Sequence, residues 1–217
     1  MQFKSVAVIG CGGHARVAIA ALRSSGKTVL ACTSLAPEKV DRRFITCDVL
    51  TDEMLLDAYS PGEIDLVLGI GSVCPNGPDS KLQGVVNRFL SKGYQFTGFQ
   101  HSSAWVANES CVDPLAQIHA GAIVQPGALV GSFSIINTRA SVDHDCRIGQ
   151  FCHIAPGVTL SGDVHIRDGT HIGTGSSVIQ GIRIGSNAFI AAGSVVVRDV
   201  PDNSYVRGVP AKSYSTL

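Results

Sequence analysis

Two hydrophobic periodicities divide the chain. Up to about residue 99, short apolar runs alternate with stretches of helical spacing. Ser5–Ile9 reads as a strand. Residues 13–24 follow with Val17, Ala18, Ala21 and Leu22 at helical spacing, and Gly26 as a stop. Residues 28–32 read as a second strand, residues 52–59 as a short helix carrying Met54, Leu55 and Ala58, and residues 65–70 as a further strand. Residues 79–92 make the clearest helix. Leu82, Val85, Val86, Phe89 and Leu90 share one face, and Gly93 follows as the cap. Strands alternating with helices predict a small parallel α/β sheet.

From Val112 onward the period changes to six. Val112, Ile118, Val124, Val130, Ile136, Val142, Ile148, Ile154, Leu160, Ile166, Ile172, Val178, Ile184, Ile190 and Val196 follow one another without a break. Four residues after each, the position is mostly small, as at Ala116, Ala122, Ser134, Cys146, Thr170 and Ser194. Gly131, Gly149, Gly173 and Gly185 come directly after an aliphatic position. A period of six fits neither an α-helix nor a coiled coil; it is the hexapeptide signature of a parallel β-helix. The aliphatic residue points into the prism and the small one sits near a corner. Three hexapeptides make a coil, so the run predicts five coils, roughly 24 Å tall at ~4.8 Å per stacked strand. Such coils bury their core only against neighbours and need caps. The expected domains are 1–104 and 105–217.

Composition narrows the function classes. The 217 residues carry 17 Lys and Arg against 17 Asp and Glu, so no basic surplus points to nucleic acid. Hydrophobic residues make up 45%, enough to form a core rather than a disordered chain. The apolar run at the N-terminus is too short to span a membrane and has no secretory cleavage site, so a cytoplasmic protein is expected. Seven cysteines without a CxxC pair support neither a disulfide framework nor a zinc ribbon. Cys146 and Cys152 fall on the small-residue phase and read as packing groups.

Two places carry candidate chemistry. Gly10-x-Gly12-x-x-Ala15 follows a strand and opens a helix, the context of a phosphate-binding turn. The acid that a dinucleotide site wants on the ribose is absent. The second strand ends in Ala31-Cys32-Thr33-Ser34, which disfavours NAD, and a tight turn without ligand stays open. Gly71 ends the next strand on the same sheet edge. In the repeat, His144 stands two residues after a core position, so its imidazole faces outward, and Asp145 follows it. A neighbouring carboxylate raises a histidine's basicity and fixes its tautomer. On the residues alone, a solvated turn histidine is the alternative. His171 lies one coil beyond His153 and predicts a stacked ladder. His119 and His165 read as packed or solvated, and His101 stays unassigned.

The repeat resembles the left-handed β-helix of hexapeptide-repeat acyltransferases, and Gly208-Val209-Pro210-Ala211-Lys212 resembles their G-x-P-A-K tail. Taken with Gly10-Cys11-Gly12-Gly13-His14, the whole chain resembles the nucleotide-amino-sugar N-acetyltransferases related to the sialic acid O-acetyltransferases. The resemblance implies a Rossmann-like α/β domain that binds the nucleotide-sugar, followed by an all-β left-handed parallel β-helix, in a homotrimer. It implies acetyl transfer from acetyl-CoA to an amine, favouring the 4-position of a 4-amino-4,6-dideoxy sugar, in bacterial-type surface glycan biosynthesis. His144 is then the general base and Asp145 its support, with Asp where the family more often has Glu. His153 contacts the acetyl group, and Gly162, Thr174, Ala192 and Gly193 contact the coenzyme. Gly12, Gly13 and His14 contact the nucleotide-sugar. Thr33 and Ser34 stand where the family often has acids, and Gly71 lines the same pocket. No metal is expected. O-acetylation of a sialic-acid-type hydroxyl is the alternative reaction.

Overall fold

A computed structural model describes residues 4–71 and 79–214, which form two compact units. The first unit, within residues 4–102, is a parallel sheet flanked by helices. Its strands are β1 (Ser5–Ile9), β2 (Val29–Thr33), β3 (Asp48–Leu50) and β4 (Ile64–Leu68), in the order β3-β2-β1-β4. All neighbouring pairs are parallel. The helices are α1 (Gly13–Ser24), α2 (Asp52–Ala58) and α3 (Asp79–Leu90). Val6, Val8, Leu66 and Val67 in the central strands are buried to 0% exposure, which is why both faces of the sheet read as continuous apolar runs. Ala15, Ala18, Ile19, Ala21 and Leu22 form the buried side of α1, and the sequence reading misplaces Val17, which is exposed. Leu90 and Met54 are likewise exposed. Strand β3 was not expected. Its three residues are too few to display a period, and Asp48 is exposed. Thr51 caps α2, its hydroxyl accepting from the Met54 N–H at 3.1 Å.

The second unit, from residue 103, is a left-handed parallel β-helix. Two-residue strands stack into three faces, each residue pairing with the one eighteen positions later, as Val130 does with Ile148 and Ile154 with Ile172. Every aliphatic position from Ile118 to Val196 is buried in one core, and Val112 packs against it at the end. Main-chain bonds run between coils, such as Leu129 N–H to Cys146 O at 2.8 Å. Ser134, fully buried, donates to Gly149 O at 2.7 Å and accepts from Cys152 N–H at 2.9 Å, so its hydroxyl ties adjacent coils. The corners have their own period of six. Every sixth residue from Gly121 to Gly193 has positive φ, including Phe133, Arg139, Asp145, Phe151, Asp163 and Asn187. After the last coil, Tyr205–Arg207 extends one face and Lys212–Ser213 folds back on it antiparallel.

Candidate functional site

The β-helix presents an exposed imidazole at a corner. His144 follows the strand Ser141–Val142, and its side chain is 62% exposed. Its backbone N–H donates to Asp143 Oδ1 at 2.7 Å. Its Nδ1 lies 2.8 Å from Asp145 Oδ2. A carboxylate can only accept, so Nδ1 carries the proton and Nε2 keeps its lone pair. The hydrogen bond to Asp145 raises the His144 pKa above its ordinary value against a desolvation cost, and the charges of Asp143, Asp145 and Asp163 add to the rise. Gly162, one coil further on, lies directly against this ring. A Cβ there would stand 2.5 Å from both Cε1 and Nε2. The absence of a side chain at Gly162 therefore makes room for the His144 imidazole.

A second cluster occupies another edge of the same prism. His153, only 7% exposed, contacts Asn137, whose Nδ2 lies 3.0 Å from His153 Nε2. Asn137 Oδ1 is fixed by the Thr138 N–H at 2.7 Å, so its amide nitrogen must face the ring. His153 Nε2 then accepts, and Nδ1 holds the proton. His171 packs edge-on against His153 at 5.0 Å and stacks on Phe189, so the expected ladder extends into an aromatic column. Thr174, Ala192 and Gly193 lie exposed at the corner that follows this face, joined by Gly193 N–H to Thr174 O at 2.9 Å. A Cβ on Gly193 would meet nothing within 4 Å, which leaves open backbone for a ligand. One chain thus groups His144, Asp145 and Gly162 at one edge, and places His153, Thr174, Ala192 and Gly193 towards another. His119 is fully buried, and His165 bonds Asp163 at 3.0 Å.

The first unit holds a cavity of about 550 Å³ at the C-terminal edge of its sheet. Gly10, Cys11, Gly12, Thr33, Ser34, Leu35, Asp52 and Ile70 are among its lining. This is where a parallel α/β sheet binds ligands. Gly10 takes φ 106°, and its N–H donates to Thr33 Oγ1 at 3.0 Å, so the threonine fastens the turn to the end of β2. Gly12 and Gly13 face open space, and α1 begins there without a side-chain cap or an acid in its first turn. The positive end of the helix is left for an anion. His14 and Gly71 are not among the lining residues; the His14 ring lies over Gly71, where a Cβ would be 3.3 Å from Cγ.

Two polar groups escaped the sequence reading. Asp52 puts a carboxylate on the cavity wall, its Oδ2 held by Arg88 Nη1 at 2.9 Å. Its place is set by β3, so missing that strand hid it. Asn137 reaches His153 only because the coil stacks them, and an exposed-phase Asn carries no signal by itself. Among the described residues, no group of three or more His, Cys, Asp or Glu is arranged to hold a metal ion. Nor is any helix there long and apolar enough to cross a membrane.

Comparisons with known proteins point to the same two-part architecture. Residues 5–74 match the PglD N-terminal domain, and residues 163–198 match the bacterial transferase hexapeptide (six repeats). No curated protein matches significantly by sequence. Among solved structures, PerB from Caulobacter crescentus in complex with CoA and GDP-perosamine is 34% identical, with 97% of each chain covered and a TM-score of 0.85. A histidine-to-asparagine mutant of perosamine N-acetyltransferase from the same organism, also with CoA and GDP-perosamine, is 33% identical over 98% of this chain and 97% of that one, with a TM-score of 0.85. The acetyltransferase domain of PglB from Neisseria gonorrhoeae in complex with acetyl coenzyme A is 29% identical over 97% and 99% of the two chains, with a TM-score of 0.86. The chain belongs to the nucleotide-amino-sugar N-acetyltransferases of the hexapeptide-repeat family.

Proposed function

We propose that the protein transfers the acetyl group of acetyl-CoA to the C4 amine of a nucleotide-linked 4-amino-4,6-dideoxy sugar, with His144 as general base. The observation that carries this reading is the His144–Asp145 pair, which leaves Nε2 unprotonated and exposed in a chain 34% identical to a protein bound to CoA and GDP-perosamine. Acetyl-CoA supplies the activated acyl carbon. His144 Nε2 takes the amine proton as the new C–N bond forms and returns it to the departing sulfur, so acid and base balance over one turnover. Help of this kind contributes roughly 10²–10⁴-fold. Asp145 holds the imidazole in the required tautomer and stabilises the imidazolium. His153 lies beside the acetyl oxygen, where a ring N–H stabilises developing negative charge.

The two edges of the prism bear on assembly. A base that is 62% exposed on one chain has no wall to exclude water. A homotrimer brings the His144, Asp145 and Gly162 edge of one copy against the His153, Thr174, Ala192 and Gly193 edge of the next. The coenzyme lies in that cleft. The glycine turn at Gly12 and Gly13 and the walls at Thr33 and Ser34 hold the nucleotide, with the His14 ring and Gly71 packed together beside the cavity. The product belongs to surface glycan biosynthesis of the bacterial type.

The test is a thiol-release assay with acetyl-CoA and GDP-, UDP- and dTDP-linked 4-amino-4,6-dideoxy sugars, with His144→Ala beside the wild type. One sugar is expected to turn over, and the variant to lose most of the rate. Turnover of sialic-acid-type hydroxyl acceptors, with no amino sugar active, would replace the N-acetyl reading by O-acetylation.

A further inference from the structure

Three cysteines meet under the glycine turn of the first unit. Cys11 stands between Gly10 and Gly12, is half-buried, and lines the cavity. Cys32, in β2, is completely buried, and its Sγ lies 3.2 Å from Cys11 Sγ. Cys32 also interacts with Cys47, a buried thiol just before β3, which pairs with β2. The three come from separate stretches of chain, and the parallel order β3-β2-β1 gathers them at one place.

Simple packing does not require this arrangement. Small hydrophobes would fill these positions without placing two sulfurs 3.2 Å apart beside an open cavity. The structure assigns Cys11 and Cys32 as an oxidisable pair, which a peroxide entering through the cavity converts to a disulfide. In the first step the Cys11 thiolate attacks one peroxide oxygen. The O–O bond breaks, and Cys11 becomes a sulfenic acid as one water leaves. In the second, Cys32 sulfur attacks Cys11 sulfur, the S–O bond breaks, and a second water leaves. Two thiols and one hydrogen peroxide thus give one disulfide and two waters. The sulfurs need to close by about 1.2 Å to reach a bond of ~2.05 Å.

The third thiol helps the second step. Cys32 is held protonated by its hydrogen bonds to Cys47 and Cys11 and by burial. Cys47 is brought down to about 7, first by the hydrogen bond from Cys32 and then by the charge of Arg23, against burial. Cys47 is therefore placed to receive the Cys32 proton as that sulfur attacks, which is the requirement for a resolving thiol.

The disulfide would draw the glycine turn toward β2. That turn is fastened to β2 at Thr33 and leads into α1. The consequence for substrate rests on the proposed nucleotide role of the cavity; the chemistry of the pair does not. The experiment reads the two separately. The full-length protein is treated with hydrogen peroxide, alkylated, digested with trypsin without reduction and mapped by mass spectrometry. The expected product is residues 5–16 linked to residues 28–39, abolished by dithiothreitol. In Cys32→Ala the sulfenic acid on Cys11 should persist and be trapped by dimedone. Cys11 recovered as an unlinked sulfinic or sulfonic acid in the wild type, or a link from residues 28–39 to 44–81 instead, overturns the assignment. In the same oxidised sample, the nucleotide-sugar KM should rise about tenfold and recover on reduction. A link that forms with KM unchanged overturns the cavity's role in substrate binding and leaves the thiol pair established.

Discussion

The contact between Gly162 and His144 allows the proposed base to be displaced without mutating it. In Gly162→Ala the new Cβ would stand 2.5 Å from Cε1 and Nε2. Carbon contacts settle at about 3.5–4.0 Å, so the ring must retreat by roughly 1 Å. The 2.8 Å bond from Nδ1 to Asp145 then stretches beyond about 3.2 Å or breaks. A displacement of this size in a catalytic group costs on the order of 10²-fold in rate. The ring is 62% exposed and can swing outward, so stability should change by only about 0.5 kcal/mol. The pH profile adds a second signature. The hydrogen bond to Asp145 is the largest influence raising the His144 pKa. Its loss lowers that pKa, and the acidic limb of the rate profile moves to lower pH while the plateau falls. The assay is steady-state thiol release across pH, with thermal unfolding alongside. A variant with the wild-type plateau and limb would refute the placement of His144 as base against Gly162. A variant that simply unfolds would refute the claim that the clash is absorbed by an exposed ring.

Asp145→Asn removes the charge that favours the imidazolium, so its acidic limb should also shift to lower pH, with a loss smaller than that of His144→Ala, itself about 10²–10⁴-fold; pH–rate profiles of the two variants check this. Thr33→Val takes away the acceptor of the Gly10 N–H. It should raise the KM for the nucleotide-sugar while leaving that for acetyl-CoA nearly unchanged, which two-substrate kinetics would read. Ile154→Ala empties a fully buried position in the middle of the β-helix and should cost about 2–5 kcal/mol in denaturant unfolding.

The sequence makes the repeating elements legible because their signal is hydrophobic and strictly periodic. The positions from Ile118 to Val196 are the core of the β-helix, and Ser5–Ile9 and Gly13–Ser24 end where the pattern ends. The corners are less legible. Their left-handed residues fall three after each aliphatic position, and Phe133, Arg139, Asp145, Phe151, Asp163 and Asn187 break up what would otherwise be a visible row of glycines. The glycines that do stand out, Gly131, Gly149, Gly173 and Gly185, serve a different need. A Cβ on any of them would come within 2.6 Å of atoms in the next coil. The site suffers from the same limit. Asn137 and His153 meet only through stacking of coils, and Asp52 reaches the cavity only through a three-residue strand with no period to read.

The His144–Asp145 pair is built on the left-handed corner that the repeat supplies at every coil. Asp145 occupies a left-handed position, φ 61°, which Asp tolerates better than most side chains because its short carboxylate can bond locally. That backbone turns the carboxylate back over the preceding coil, where a Cβ on Gly127 would stand 2.5 Å from Oδ1. His144 reaches the other way, over Gly162 in the following coil. The two side chains therefore lie along the edge, between spaces vacated in the coils on either side, and meet through a 2.8 Å hydrogen bond. The two vacancies are not equivalent as tests. Gly127 itself has φ 76°, so any side chain there strains the backbone as well as striking Asp145. Gly162 lies outside the left-handed region, so a substitution there leaves the backbone unstrained and meets the His144 ring first. A Gly127 variant that lost both stability and activity would be ambiguous, whereas a lower kcat in Gly162→Ala with stability and the acetyl-CoA KM retained is traced to the displaced His144 ring.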